Sequence, residues 1–165
     1  MKVYLSSPLG FASSTRPYLL ELEKALAVTD ATVINPWDNF EQTRAFNSAK
    51  AILDRDARLA ALTEINREIG RTNETSIRSC DVLIAVLDGA DVDSGTASEI
   101  GFACALGKRV HGLRTDMRLA GVNEASIINV QVQYFIEASG GRIVTTPEEL
   151  VLLFASSEAM MSALA

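Results

Sequence analysis

The sequence predicts a doubly wound α/β fold on one mostly parallel five-stranded sheet. Short apolar runs alternate with longer segments in which apolar residues recur at helical spacing. The most apolar run, Asp81–Leu87 (DVLIAVL), is continuous, as is typical of a parallel strand covered on both faces. Strands separated by helices imply right-handed crossovers and therefore parallel pairing.

The first half of the chain provides two strands and a long helical segment. Lys2–Ser6 is an apolar run ending in turn residues, which predicts the first strand. Arg16–Val28 predicts a helix, because its leucines lie partly at helical spacing and a proline stands in its first turn. Thr32–Asn35 predicts a second strand that a proline stops. Glu41–Cys80, with Gly70 as its one breaker, predicts two helices or one interrupted helix.

The second half continues the alternation after the buried third strand. Gly95–Leu106 predicts a helix and Arg109–Leu113 a fourth strand. Glu124–Ala138 is expected to be helical at least in part. Arg142–Val144 predicts a fifth strand and Pro147–Ala155 a closing helix. This order of elements is that of flavodoxin-like or Rossmann-like sheets with helices on both faces.

Composition excludes several classes of protein. The 165 residues are expected to form a single domain, 1–165, and 48% of them are apolar. The net charge is −6 and no basic run is present, which disfavours a nucleic-acid binder. The sequence shows neither a secretory h-region nor an apolar run of membrane-spanning length. Cys80 and Cys104 lie in apolar stretches, as reduced core cysteines do, and we expect a cytoplasmic protein.

Unusual residues follow three of the predicted strands. In doubly wound sheets the ligand binds beyond the carboxyl ends of the strands. That rule places Ser6–Phe11, Pro36–Phe40 and Asp88–Glu99 around one site. The first two loops carry no pattern that indicates which ligand they bind.

The densest group of polar residues lies in Asp88–Glu99, between a buried strand and a helix. Glu99 is expected near the first turn of that helix, where exposed N–H groups and the dipole favour an ionised carboxylate. Such a carboxylate facing a cleft suits a glycosyl-transferring nucleophile. Spacing alone, however, favours a capping box in which Glu99 bonds back to the N–H of Thr96. The segment does not fit a Ca²⁺-binding loop, because a third ligand after Asp91 and Asp93 and the glutamate at the twelfth position are both missing. It does not fit a phosphate-binding loop either, because it contains no lysine.

Three segments resemble the nucleoside 2-deoxyribosyltransferase family. They are the apolar run Asp81–Leu87, the stretch Asp93–Lys108 (DSGTASEIGFACALGK) and the opening Val3–Phe11 (VYLSSPLGF). The resemblance extends over most of residues 2 to 135 and is loose in the long helical segment. It implies an enzyme of nucleoside salvage that transfers 2'-deoxyribose between bases, with retention of configuration and without a metal or organic cofactor.

The resemblance assigns roles to five residues. Glu99 matches the nucleophile that attacks C1' of the sugar, and Tyr4 matches a tyrosine whose hydroxyl holds that carboxylate. Asp93 matches an active-site aspartate that contacts the substrate. Asn73 stands where many members have an aspartate that handles the leaving base. Asn129 matches an asparagine that reaches into a neighbouring subunit's site to bind the 5'-hydroxyl, which implies a homodimer or larger oligomer.

Further substrate-binding candidates come from the loops around Glu99. They are Ser7, Phe11, Trp37 and Gly95. Each assignment has a structural alternative, because Trp37 could be a packing anchor and Tyr4 a core residue. Asn73 and Asn129 could likewise be ordinary polar residues of helices, and His111 is expected in the core without a catalytic part.

Two departures from the family pattern bear on the chemistry. Asn73 cannot donate a proton as a carboxylic acid could, so the leaving base must receive its proton from Asp93 or water. After Asn129 the usual Leu-Met is Val130-Gln131, so the shared edge of the site can differ.

The alternatives are a hydrolase of the same fold, in which water replaces the second base, and a nucleotide-sensing module that binds without turnover. The expected substrates are 2'-deoxynucleosides and free purine or pyrimidine bases, with no nucleic-acid or membrane partner.

Overall fold

Five parallel strands form one sheet in the computed structural model of the protein, which describes residues 1–27, 29 and 31–154. The strands are β1 (Lys2–Ser6), β2 (Thr32–Ile34), β3 (Val82–Val86), β4 (Arg109–Leu113) and β5 (Ile143–Val144). Their order in the sheet is β2-β1-β3-β4-β5, and every pairing is parallel. This confirms the predicted doubly wound α/β class and its flavodoxin-like order, with a sheet that is wholly rather than mostly parallel.

Six α-helices among the described residues connect and cover the strands. They are α1 (Arg16–Ala27), α2 (Phe40–Lys50), α3 (Arg55–Ser79), α4 (Ser94–Ala105), α5 (Val130–Ala138) and α6 (Pro147–Leu152). Val28 and Ala155, the predicted last residues of two of these helices, lie outside the described residues. No helix in the described part of the chain combines the length and apolar character needed to cross a bilayer.

The long helical segment divides into α2 and α3, which decides between the two predicted alternatives. The break falls at residues 51–54, where the side chain of Asp54 accepts a hydrogen bond from the N–H of Ala57 and starts α3. Gly70 lies inside α3 with open space around it. A single glycine weakens a helix without ending it, whereas an Asp at the N-cap position sets a new start.

Other boundaries move by a few residues because of local capping. Asn35 ends β2 early, since its side chain accepts from the N–H of Trp37 and opens a 3₁₀ turn over Pro36–Asp38. Of the predicted helix at 124–138, only α5 forms, and Asn129 is its N-cap.

The two faces of the sheet bury separate apolar clusters. On β1, Val3 and Leu5 pack with Leu19, Leu22 and Leu26 of α1 and with Leu150 of α6. Tyr4 points to the opposite face, which packs with Ile100 of α4 and Ile136 of α5. Because successive side chains of a strand alternate between faces, Ser6 shares the face of Tyr4. His111 on β4 is buried, as expected, and its Nδ1 accepts from the N–H of Arg142.

Candidate active site

Glu99 lies opposite the end of β1, where two hydroxyl groups donate to its carboxylate. The Tyr4 hydroxyl donates to Oε1 at 2.8 Å and the Ser6 hydroxyl donates to Oε2 at 2.5 Å. Both donors are fully buried and stand two residues apart on one face of the strand. Sequence analysis placed Ser6 at the start of the loop 6–11 near the site but did not identify it as a donor to Glu99, although the two-residue period of the first strand could have placed it beside Tyr4.

A third donor reaches the carboxylate from α3. The side-chain Nδ2 of Asn73 donates to Oε1 of Glu99 at 3.3 Å. The strand and the two helices therefore bring Tyr4, Ser6, Asn73 and Glu99 together, although they are far apart in the chain. No described Lys, Arg or His forms an ion pair with Glu99.

Burial raises the pKa of the Glu99 carboxyl above its ordinary value, because the charged form loses hydration. Hydrogen bonds from Ser6, Tyr4 and Asn73 act in the opposite direction, and the negative charge of Asp93 adds to the increase. The pKa of Tyr4 is also raised, first by burial and then by the charge of Glu99, so its hydroxyl remains a donor. The carboxylate is thus held by neutral donors and is not neutralised by a cation.

The start of α4 corrects two expectations about Glu99. Asp93 is the N-cap, and its Oδ2 accepts from the N–H of Thr96 at 3.0 Å. The capping box between Thr96 and Glu99 is therefore wrong, because the helix starts earlier and the Glu99 carboxylate faces β1. Glu99 lies in the second turn, beyond the strongest influence of the helix dipole, so hydrogen bonds rather than the helix end offset its burial. Gly95, exposed in the first turn, lies against Asp93, since a Cβ there would be 3.1 Å from Oδ2.

The loops after β1 and β2 are joined through Trp37. Its indole N–H donates to the carbonyl of Ser7 at 2.8 Å, and its ring meets Phe11 edge to face, with 4.6 Å between centroids. A Cβ at residue 10 would lie 2.0 Å from Cδ2 of Trp37, so only glycine allows this approach. Trp37 thus packs between the loops, while Phe11 stays largely exposed.

A cavity of about 600 Å³ opens beside this cluster. Residues from the end of β2, the 3₁₀ turn, the start of α2 and the C-terminal part of α3 line it, and Asn73 is one of them. Its volume lies within the range of small-molecule sites, about 300–1,000 Å³. Because Asn73 contacts both Glu99 and the cavity, a ligand in the cavity would lie one side chain away from the carboxylate.

Asp88 and Arg114 fasten the loop that leads to α4. The Asp88 carboxylate accepts from the N–H groups of Thr115 and Asp116 at 2.6 and 2.8 Å. The buried guanidinium of Arg114 donates to the carbonyl oxygens of Leu87 at 2.5 Å and Arg118 at 2.7 Å. The Asp88 carboxylate therefore serves to hold the neighbouring loop. Sequence analysis gave no indication that Arg114 is buried.

Asn129 lies at the exposed start of α5, and its hydrogen bonds stay within its own helix. Its Oδ1 accepts from the N–H groups of Gln131 and Val132 at 3.0 and 3.4 Å. Its Nδ2 makes no hydrogen bond with the described residues. None of these hydrogen bonds links Asn129 to the Glu99 cluster of the same chain.

Metal ligation has little support in the described part of the chain. Residues 1–27, 29 and 31–154 contain no group of three or more His, Cys, Asp or Glu side chains placed to hold a metal ion. The carboxylates of the loop before α4 are used by backbone donors, as with Asp91, which accepts from the N–H of Val92 at 2.8 Å.

The pKa of Glu99 provides a first testable prediction. Its side-chain ¹³C NMR signal is expected to titrate with a midpoint above the ordinary glutamate value of about 4.3. Ser6→Ala removes a donor to the ionised form and should raise the midpoint further. Asp93→Asn keeps a competent N-cap while removing a repelling charge, and should lower it. A midpoint at or below the ordinary value, or shifts of the same sign in both variants, would contradict this electrostatic account.

Comparisons with known proteins give a family model that matches the chain and solved structures that share its fold. A family model described as nucleoside 2-deoxyribosyltransferase matches residues 3–140. A conserved protein from Enterococcus faecalis V583 is 26% identical with a TM-score of 0.70, over 93% of this chain and 96% of that chain. No curated protein matches the chain.

Two more distant structures share the fold. A 2-deoxyribosyltransferase from the psychrotolerant bacterium Bacillus psychrosaccharolyticus is 18% identical with a TM-score of 0.65, over 94% of this chain and 96% of that chain. A CMP N-glycosidase from Clostridium botulinum is 17% identical with a TM-score of 0.56, over 93% of this chain and 97% of that chain. At these identities the likeness is one of fold.

Proposed function

The chain belongs to the nucleoside 2-deoxyribosyltransferase family, and from that premise we propose that it transfers 2'-deoxyribose between nucleobases through a covalent intermediate on Glu99. The family and the similar structures are those of enzymes that process nucleosides by glycosyl transfer or by cleavage of the glycosidic bond. The particular reaction proposed here rests on one observation, which is the carboxylate of Glu99 held by Tyr4, Ser6 and Asn73.

The environment of Glu99 suits a nucleophile. Burial without a cation makes its negative charge costly, and that charge disappears when the carboxylate forms an ester. A glutamate that served only the fold would more often be exposed or paired with a cation. The three donors keep the carboxylate oriented without neutralising it, as attack on a sugar carbon requires.

The proposed reaction is a double displacement. An oxygen of Glu99 attacks C1', the C1'–N bond breaks, and its electron pair leaves with the base, which takes up a proton. A nitrogen of a second base then attacks C1', the ester C–O bond breaks, and the incoming base loses its proton. Two inversions retain the β configuration. The 2'-deoxy sugar favours this path, because no 2'-hydroxyl withdraws electrons from the developing positive charge.

Proton transfer in this scheme does not involve Asn73 as an acid, since an amide is no proton donor at neutral pH. Asp93 is the carboxyl group that we propose for this step, because its charge acts on Glu99. Its Oδ2 caps α4, and Oδ1 is the oxygen left for a substrate or water. Ser7, Phe11, Trp37 and Gly95 would enclose the substrate from the loops and the helix start.

Incubation with deoxyinosine and adenine tests the proposed function. Transfer gives deoxyadenosine and hypoxanthine, hydrolysis gives free deoxyribose, and a sensing module gives neither. Formation of deoxyadenosine with little deoxyribose supports the proposal. Deoxyribose as the main product would instead establish a hydrolase of the same fold.

Asn129 is proposed to complete the site of a second copy in a homodimer or larger homo-oligomer. Its Oδ1 caps α5, which leaves the exposed Nδ2 to donate to a sugar 5'-hydroxyl. Asn129→Asp keeps a capping oxygen and removes that donor. Because such a hydrogen bond contributes about 0.5–1.5 kcal/mol, kcat/KM should fall by roughly two- to tenfold with little change in Tm.

Subunit mixing checks whether the site is shared. Glu99→Ala subunits mixed with Asn129→Asp subunits, under conditions that allow exchange, should show more activity than the sum of the two variants measured separately, because exchange forms some complete centres. A fully active monomer in sedimentation would show that the shared site is wrong. The acidic loop at Asp88–Asp93 should also make nucleosides better substrates than their 5'-monophosphates, and the reverse preference would contradict that part of the proposal.

A further inference from the structure

The side-chain amide of Asn73 has a fixed orientation. An ionised carboxylate only accepts hydrogen bonds, so the atom of Asn73 that faces Glu99 must be the NH₂ group. Turning the amide around would place Oδ1 against the carboxylate oxygen, which is repulsive. Oδ1 receives no hydrogen bond from the described residues. Asn73 therefore offers its other neighbours an acceptor and cannot exchange it for a donor.

Asn73 lies in the wall of the cavity beside Glu99, and Oδ1 is the acceptor that its side chain can offer there. Asn73 lines the cavity together with two carboxylate residues, Asp38 and Glu41. The described lining contains no Lys, Arg or His. The wall also contains Asn39, whose Oδ1 accepts from the N–H of Gln42 and whose NH₂ group is therefore a donor. A base that meets Asp38, Glu41 and Oδ1 of Asn73 must supply N–H donors on that side.

Resting on the proposed function, we propose that Asn73 selects nucleobases that carry an exocyclic amino group over their oxo counterparts. The amino group of adenine or cytosine donates to Oδ1 of Asn73. Hypoxanthine or uracil places a carbonyl oxygen at the same position, which leaves two acceptors facing each other and both unsatisfied. Other asparagines reverse their amide to accept either partner, whereas Glu99 prevents that reversal here.

Single-turnover base release tests the selection. Enzyme in excess is mixed with deoxyadenosine or deoxyinosine, and with deoxycytidine or deoxyuridine, and the rate constant of base release is measured. The amino-to-oxo ratio of wild type is divided by that of Asn73→Ala, which cancels the intrinsic difference between leaving groups. We expect this double ratio to be roughly 10 to 100 in both pairs. Asn66→Ala, an exposed asparagine on the same helix, should give a double ratio near one.

Binding of free bases provides a measurement that does not depend on turnover. Wild type should bind adenine more tightly than hypoxanthine and cytosine more tightly than uracil, and Asn73→Ala should lose most of both differences. Double ratios near one, together with equal affinities for the amino and oxo bases, would overturn the inference. If catalysis through Glu99 were intact, the proposed function would still stand. If no nucleoside released its base, the proposed function would fail. The affinities for the free bases would then decide whether Asn73 selects amino bases over oxo bases.

Discussion

Glu99→Ala is expected to lower kcat/KM for deoxyribosyl transfer by at least about a thousandfold, because it removes the group that forms the bond to C1'. Glu99→Gln should be equally inactive, since an amide is a poor nucleophile. The second variant is the sharper one, because it keeps the shape of the side chain. Its Oε1 can accept from Tyr4 and Asn73, and its NH₂ can donate to the oxygen of Ser6.

Thermal unfolding separates this loss from a loss of fold. The folded pKa of Glu99 is raised, so the folded protein holds this proton more tightly than the unfolded chain. Its contribution to stability therefore falls as pH rises from the unfolded to the folded pKa. Above that window, Glu99→Gln should have a Tm equal to or above that of wild type. A folded Glu99→Ala or Glu99→Gln enzyme with near-normal turnover would refute the role of nucleophile.

Tyr4→Phe is expected to lower kcat roughly 10- to 100-fold while changing KM little. A hydrogen bond to a charged group is worth about 1.5–3 kcal/mol, and this one orients the carboxylate during attack. The loss also removes a stabiliser of ionised Glu99, so the acid limb of the pH–rate profile should move to higher pH. A purely structural effect would not move that limb.

The exposed Tyr134 provides the matched control for Tyr4. Tyr134→Phe makes the same chemical change on α5, at a side chain that is 61% exposed. It should change neither kcat nor the acid limb. If Tyr4→Phe behaved in the same way, Tyr4 would be a core residue without a part in the reaction.

Most of the fold could be predicted from the sequence because its strands are short, apolar and bounded by turn residues. The continuous run around β3 predicted a parallel sheet with two covered faces, which is what the structure has. The position of the division in the helical segment could not be predicted, because Gly70 was the one helix breaker in the pattern, whereas the actual boundary is set by the N-cap at Asp54. Likewise, Asp93 and Thr96 are both good caps, and only packing against the sheet shows that Asp93 starts α4.

The candidate site was predicted less completely than the fold. Local spacing favoured a capping role for Glu99, and the family resemblance gave it the role of nucleophile. Its neighbours come from β1 and α3, so the geometry depends on long-range packing. A position at the helix start implied that the ionised form of Glu99 is favoured, which would lower its pKa. The pKa is raised instead, because the effect of burial outweighs that of the hydrogen-bond donors. The amide orientation of Asn73 follows only from its contact with Glu99 and has no signature in the sequence.

The covalent intermediate is the most direct test of the central claim. Enzyme mixed with a 2'-deoxynucleoside in the absence of an acceptor base is quenched in acid within the first turnover and examined by intact mass and peptide mapping. We predict a mass increase of one deoxyribosyl group on a peptide that contains Glu99, with one equivalent of base released, and no such adduct in Glu99→Gln. Release of base without any adduct, or an adduct on a different residue, would contradict the mechanism.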